Sequence, residues 1–410
     1  MVALGECTAS GNTLLAKNSD RPVHEAQPLE LHARAHHAAD ADAGCQFVRV
    51  PQAHTTWRHV GSRLHWGHGY EQGLNEHQVA ITNEYLPTTV KEADAPKLVG
   101  GELIRLGLER GTTAREAVDV MTAHITAYGQ GMFANGAGVN QGDNAYMVAD
   151  PQVVYLIEAA GHDWAVKEVS QTASISNIGS IHDDWISTSR AAPGESFDWA
   201  AAFTDGAENP NAVRRQYRTH TALHNRRGRI DARTMAGILS DHWLDDDVNS
   251  ELNPFPGDRR SVCMHPIEDN RQSTNASMVA DLCADGSRLP VCWCGLYAPC
   301  MGLFFPVFLQ GELPAQLSIG AAERTDHSPW WKFHDLTESG LAEGHERVIE
   351  IRDAWSSLQE ELWETAYEMA RQGAELIQKG KKDEANRMLT EYMARSFDRM
   401  LATVTNLLAG

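Results

Sequence analysis

The stretch from Leu289 to Gln310 carries no charged residue, and that run limits the architectures open to the chain. It has about the length a helix needs to cross a membrane. It also holds Pro290, Pro299 and Pro306, and its apolar residues fall into two short clusters around Ala298-Pro299-Cys300. A proline inside a helix removes a hydrogen bond and clashes with the preceding turn. Two buried strands joined by a turn are therefore expected here, not a spanning helix. The opening residues MVALGECTASGN lack a basic segment and a long apolar segment, and Glu6 comes early, so no signal peptide is read. A soluble, cytoplasmic protein is the expectation.

The pattern elsewhere alternates. Val2 to Leu4 and Leu14 to Ala16 read as a hairpin with Gly11-Asn12 at its tip. Strand-length apolar runs recur at Gln46 to Val50, His77 to Thr82, Ala145 to Ala149, Val153 to Glu158, Trp164 to Glu168 and Ala173 to Ser176. Helical patterns sit between them. One begins at Gly101 to Glu109. The next opens with the capping box Thr113-Ala114-Arg115-Glu116 and puts Ala117, Val118, Met121 and Ile125 on one face. A further amphipathic helix spans Arg233 to His242, and strands dominate again from Ser261 to Leu309. Helices layered on antiparallel sheets follow from this order.

From about Glu343 the strand signal stops. Val348, Ile351, Trp355, Leu358 and Leu362 follow helical spacing; Gly380-Lys381-Lys382-Asp383 interrupts; Leu389, Met393, Phe397, Met400 and Val404 resume it. The expected organisation is a domain over 1–342 and a helical hairpin over 343–410. The hairpin's apolar stripe would pack on the main domain or on a second copy of the chain.

Composition narrows the function. The chain has 410 residues, with 35 Lys plus Arg against 55 Asp plus Glu, a formal charge of −20. Such an excess disfavours nucleic acid and anionic membrane as partners. Seven cysteines are too few and too irregular for a disulfide framework. No phosphate loop, no dinucleotide fingerprint and no HExxH motif is present. Cys263 lies near His265, but Cys292 and Cys294 are spaced as neighbours on one strand face, not as a zinc pair. Asp245 to Asp247 reads as a solvated acidic loop. No metal or organic cofactor is expected.

Several strand ends carry polar residues: Lys17-Asn18-Ser19-Asp20-Arg21, Asn75-Glu76-His77, Thr82-Asn83-Glu84 and Ser176-Asn177. Each alone reads as turn chemistry. As an ordered set they resemble the secernin and C69 dipeptidase family. AKNSDRPVHEAQ is similar to its opening signature and GLNEHQVAITNEY to its NEHGVxIGNE stretch. LIRLGLERGTTAREAVDVMTAHITAYGQG, SVCMHPIEDNRQSTNASMVADL, APCMGLFFPVFL and SPWWKFHDL match further blocks. The resemblance runs from Met1 to about Leu336.

It implies an α+β fold, the four-layer αββα sandwich of the N-terminal nucleophile hydrolases, with the helical hairpin appended. In that family an N-terminal cysteine attacks an amide carbonyl and its own α-amine is the base. A thiol is a strong nucleophile once deprotonated, and an α-amine with a pKa near ~8 can take its proton. By the resemblance, Lys17 stands where many relatives have Arg and supplies positive charge that keeps the amine neutral. Asp20 orients the amine, Asn83 donates to the oxyanion, and Asn177 binds the amine or the substrate amide. Arg215, or its neighbour Arg214, anchors Asp20. Asn18 and Arg21 belong to the motif and fall on the substrate side of the site.

The chain departs from the family at its start. The family's nucleophile precedes the motif Asn by roughly twenty residues, which counts back from Asn18 to a point before Met1. The expectation is a nucleophile upstream of Met1, with little activity in the chain as given; Cys7 reads as a turn cysteine. The implied function is a cysteine-type amidohydrolase or dipeptidase acting on a short peptide or related amide through an acyl-enzyme. A non-catalytic, secernin-like interaction protein and an amide-forming acyltransferase using the same pocket are the alternatives.

Overall fold

The structure, a computed structural model, describes residues 1–90, 95–135, 138–204, 209–242, 261–266 and 271–410. The acidic run Asp245 to Asp247 lies outside them. The described chain is α+β, with antiparallel sheets, packed helices and a helical C-terminal segment. It divides into two compact units. The first holds Met1–Cys7, His32–Arg63 and Gly67–His224; the second holds Thr8–Leu31, Leu64–Trp66 and Asn225–Gly410.

The first unit is built on an antiparallel meander. Its strands run in the order Ser187–Thr188, Asp163–Val169, Val154–Ala160, Asp143–Ala149, Ala80–Leu86, Tyr70–Asn75 and His59–Arg63. Asp143–Ala149 and Val154–Ala160 are buried along their whole length, as central strands covered on both faces should be. Helices Gly100–Arg110 and Ala114–Tyr128 place Leu103, Ile104, Leu106, Leu108, Val118, Met121 and Ile125 in one core with Ile81, Val148 and Ile157. Thr113 caps the second helix, its side chain accepting from the Glu116 amide at 3.1 Å. The short strand Val2–Ala3 pairs with Thr172–Ala173. The strand expected to continue to Ser176 stops there. Ser174 instead exchanges hydrogen bonds with Gln216 on the Pro210–Asn225 helix, at 3.1 Å in each direction, and these replace the ladder.

The second unit centres on Thr13–Pro22, Gln272–Leu282, Val291–Leu296 and Phe304–Val307, antiparallel in that order. The charge-free run thus forms two buried strands joined by a turn, as its prolines require. Among the described residues no helix is long and apolar enough to cross a membrane. Gln272–Leu282 carries a bulge at Asn275, between the pairs Thr274–Asp20 and Ala276–Ser19. The Asn275 amide fills the gap by donating to the carbonyls of Pro22 at 2.8 Å and Glu25 at 3.0 Å.

Helices Pro329–Glu343, His345–Gln378 and Lys382–Ala409 complete the unit. The stripe read from the sequence is buried against this unit's own strands. Trp355, Trp363, Phe397 and Met400 are each 6% exposed or less. Trp363 packs on Trp293 with ring centroids 4.0 Å apart, and the Trp355 indole donates to the Met301 carbonyl at 3.1 Å.

Candidate functional site

The residues singled out in the sequence fall into two sets, one in each unit. In the second unit, Lys17, Asn18, Asp20 and Arg21 all lie on the Thr13–Pro22 strand. The strand opens with Leu14, Leu15 and Ala16, all buried, which fixes its place in the sheet before the polar residues begin. Lys17 is itself buried, at 5% exposure. Asn18 has its amide engaged with protein. It donates to the carbonyls of Leu239 at 2.8 Å and Val262 at 2.9 Å, and accepts from the Ser277 hydroxyl at 2.7 Å. It thereby ties the end of the Ala232–Leu239 helix to the segment before Gln272. Asp20 is half-buried and accepts from the Thr274 hydroxyl at 2.7 Å. Arg21 makes a two-pronged ion pair with Glu25, at 2.8 and 3.1 Å.

In the first unit, Asn83, Asn177 and Arg215 are linked along the Ala80–Leu86 strand. Asn83 is buried and donates to the Asn144 side-chain oxygen at 3.3 Å. Asn144 in turn donates to Gln130 at 3.1 Å, Gln130 donates to Asp143 at 2.7 Å, and the Tyr146 hydroxyl donates to Gln130 at 3.2 Å. Gln130, Asp143, Asn144 and Tyr146 are all buried, so the network holds Asn83 on a fixed polar scaffold. Burial pushes the Tyr146 phenol well above its ordinary range, which keeps it a neutral donor. Gly100 leaves the room this scaffold needs, since a Cβ there would stand 2.4 Å from the Asn144 amide.

Two residues along, Tyr85 offers its carbonyl to the Asn177 amide at 2.9 Å. The Asn177 oxygen accepts from the Arg215 guanidinium at 2.7 Å. The loop carrying Asn177 is pinned from behind by Glu158. That carboxyl is fully buried and accepts from the backbone amides of Ser180 and Ile181. Burial raises its pKa to about 8, against the opposing effect of those two amides. The pairing of Val2 with Ala173 and Ala3 with Thr172 brings the first strand against the segment that leads into Asn177. Met1 is buried there, and Cys7 is buried at the end of the short turn Gly5–Cys7.

The supporting residues Gln130, Asp143, Asn144 and Glu158 were not read from the sequence. Asn144 could not have been, because it meets Asn83 only through the pairing of strands far apart in the sequence. Nor could Gln130 and Glu158, because each reaches its partner through tertiary packing. Cys292 and Cys294 lie side by side with sulfurs 3.6 Å apart, as strand alternation requires.

No known family model matches the chain. Among solved structures it is similar to a mutant of conjugated bile acid hydrolase from Clostridium perfringens, at 12% identity and a TM-score of 0.42, covering 72% of this chain and 89% of that one. It is similar to penicillin V acylase from Agrobacterium tumefaciens at 11% identity and a TM-score of 0.42, covering 75% and 84%. It is also similar to a Caenorhabditis elegans ortholog of N-acylethanolamine-hydrolyzing acid amidase, at 13% identity and a TM-score of 0.33, covering 68% and 90%.

Proposed function

We propose that the chain is an amide hydrolase of the N-terminal nucleophile kind, acting on a short peptide or a related small amide. The observation that supports this best is the arrangement around Asn83. An asparagine side chain braced by a buried hydrogen-bond network is a preorganised donor, suited to an oxyanion that forms only during reaction. The Asn177–Arg215 pair sits two residues along the same strand, beside the segment that pairs with Val2 and Ala3.

In this reading a cysteine presented at the leading end of the first strand loses its thiol proton to its own α-amine. The thiolate attacks the substrate carbonyl carbon, and a C–S bond forms. Charge gathers on the carbonyl oxygen, which the Asn83 amide meets. The C–N bond then breaks, and the amine returns the proton to the leaving nitrogen. Water attacks the resulting thioester, releasing the acid and restoring the thiol. Asn177 with Arg215 holds the substrate amide.

The test compares two forms of the chain, one beginning at Met1 and one with Cys-Asp-Thr placed directly before it. Both are assayed against dipeptides and small acyl amides. Hydrolysis by the extended form, lost on replacing that cysteine by alanine and reduced about 100-fold or more in kcat by Asn83→Ala, is expected. An extended form with full activity in Asn83→Ala and Asn177→Ala would remove the assigned roles. Activity of the Met1 form that disappears in Cys7→Ala would overturn the reading.

A further inference from the structure

We propose that His242, Cys263, His265 and Cys300 form a structural metal site, closed and tetrahedral, that takes zinc. All four are buried, at 4%, 0%, 5% and 7% exposure. One ligand atom from each can be chosen so that all lie within 4.8 Å of one another. Tetrahedral zinc with two sulfur and two nitrogen ligands needs ligand atoms roughly 3.3–3.8 Å apart, given bonds of about 2.3 and 2.0 Å. His265 Nε2 already stands 3.2 Å from the Cys300 sulfur and 3.7 Å from the Cys263 sulfur. The widest pair closes to bonding geometry with a movement of about 1 Å.

The surroundings lack what an empty cluster of this kind would need. Buried imidazole nitrogens ordinarily find a donor or acceptor. His242 Nε2 has no hydrogen-bond partner among the described residues. The two rings instead stack, 5.1 Å apart and inclined by 17°. The His242 Nδ1 atom is 3.4 Å from the Ser261 hydroxyl, an outer contact of the sort that orients a metal-bound imidazole. A metal ion here would be held by the two sulfurs as thiolates, the form in which cysteine binds metal. Two thiolates and two neutral imidazoles around a divalent ion leave no net charge, which suits a buried position. Soft sulfur with imidazole, all four positions filled by protein, selects zinc in a structural role over calcium or magnesium.

The place of the cluster in the second unit explains what the ion would do. His242 follows the Ala232–Leu239 helix, Cys263 and His265 precede the Gln272–Leu282 strand, and Cys300 lies in the turn between Val291–Leu296 and Phe304–Val307. The Met264 amide donates to Thr274 Oγ1 at 2.9 Å, and that same hydroxyl donates to Asp20. Asn18 grips Val262. The ion would clamp the segment on which Asn18 and Asp20 rest.

The full chain, purified without chelator and freed of any affinity tag, should carry about one zinc per molecule by elemental mass spectrometry. Exchange for cobalt should give a thiolate-to-cobalt charge-transfer band and the intense visible bands of a tetrahedral site. Cys300→Ser should lower the charge-transfer intensity by about half, whereas Cys292→Ser, outside the cluster, should leave it unchanged. If Cys300→Ser does not fold, the wild-type zinc content and cobalt spectrum decide alone. Less than about a tenth of an equivalent of metal as purified, with no tetrahedral cobalt spectrum after reconstitution, would overturn the site. So would a Cys263–Cys300 disulfide in the freshly purified chain, or a cobalt spectrum that Cys300→Ser does not alter.

Discussion

At the scale of single residues, Asn75 is wholly taken up by the fold. It has no solvent exposure, and its amide donates to the carbonyls of Leu108 and Gly111 at 2.9 and 2.7 Å. Its oxygen accepts from the amides of His77 and Val79, both at 3.0 Å. Asn75→Ala should cost about 3 kcal/mol, because it leaves buried backbone groups without partners; a urea melt would measure it. The sequence reading of this residue as turn chemistry holds. Asn83 looked the same in the sequence, and only the buried scaffold behind it distinguishes the two. Glu158 was not legible at all, since its run of apolar neighbours reads as an ordinary buried strand. Its carboxyl has an ordinary value of 4.5 when unfolded and about 8 when folded. Between those values the folded chain keeps a proton that the unfolded chain has released. The contribution is full below about pH 4.5 and declines as pH rises toward about 8. Glu158→Gln should flatten that decline and exceed wild type by on the order of 5 kcal/mol near pH 9. Urea midpoints at about pH 5 and about pH 9 would show whether the two curves diverge as stated.

At the scale of elements, the C-terminal helices were the most legible part of the chain, because a long stripe at helical spacing has one plausible use. What the stripe covers was not legible. Trp293 sits in a strand that reads as buried on both faces, and nothing local says that Trp363 and Tyr367 supply one cover. The same contact carries polar bonding. The Tyr367 hydroxyl donates to Asp281 at 2.7 Å, and Asp281 pairs with Arg288, both largely buried. Trp363→Ala should cost about 3–5 kcal/mol by emptying the space against Trp293. Trp363→Phe should cost less, and tryptophan fluorescence during urea unfolding would rank the two. Of the Cys/His cluster the sequence showed only that Cys263 lies near His265. Its four members are dispersed from His242 to Cys300, with none of the paired spacing by which zinc sites are recognised in sequence.

At the scale of the whole molecule, the helices after Pro329 belong to the same compact unit as the strands they cover. The position 342/343 read as a boundary falls inside this unit, at the last turn of the Pro329–Glu343 helix. Removing 343–410 would expose Trp293, Phe304 and Leu289 together, an apolar area too large to leave in water without association. The truncated chain should be recovered aggregated, or should bind a hydrophobic dye strongly. A soluble truncation with an unchanged melting temperature would show that the stripe contributes nothing to the fold. The charge of −20 helps keep the intact chain dispersed, but it does nothing for a sheet face stripped of its cover.

The pairing of Thr13–Pro22 with Gln272–Leu282 also sets a schedule for synthesis. A ribosome adding about 5–20 residues per second leaves the earlier strand without its partner for roughly 15–50 s. Throughout that interval the edge of Leu14, Leu15 and Ala16 that pairs with Gln272–Leu282 has no ladder to join, although these residues end up buried. The nascent chain therefore carries an unpaired apolar edge for most of its translation. Slow codons or a depleted chaperone pool would lower the yield of native protein through this one strand, even with every native contact intact.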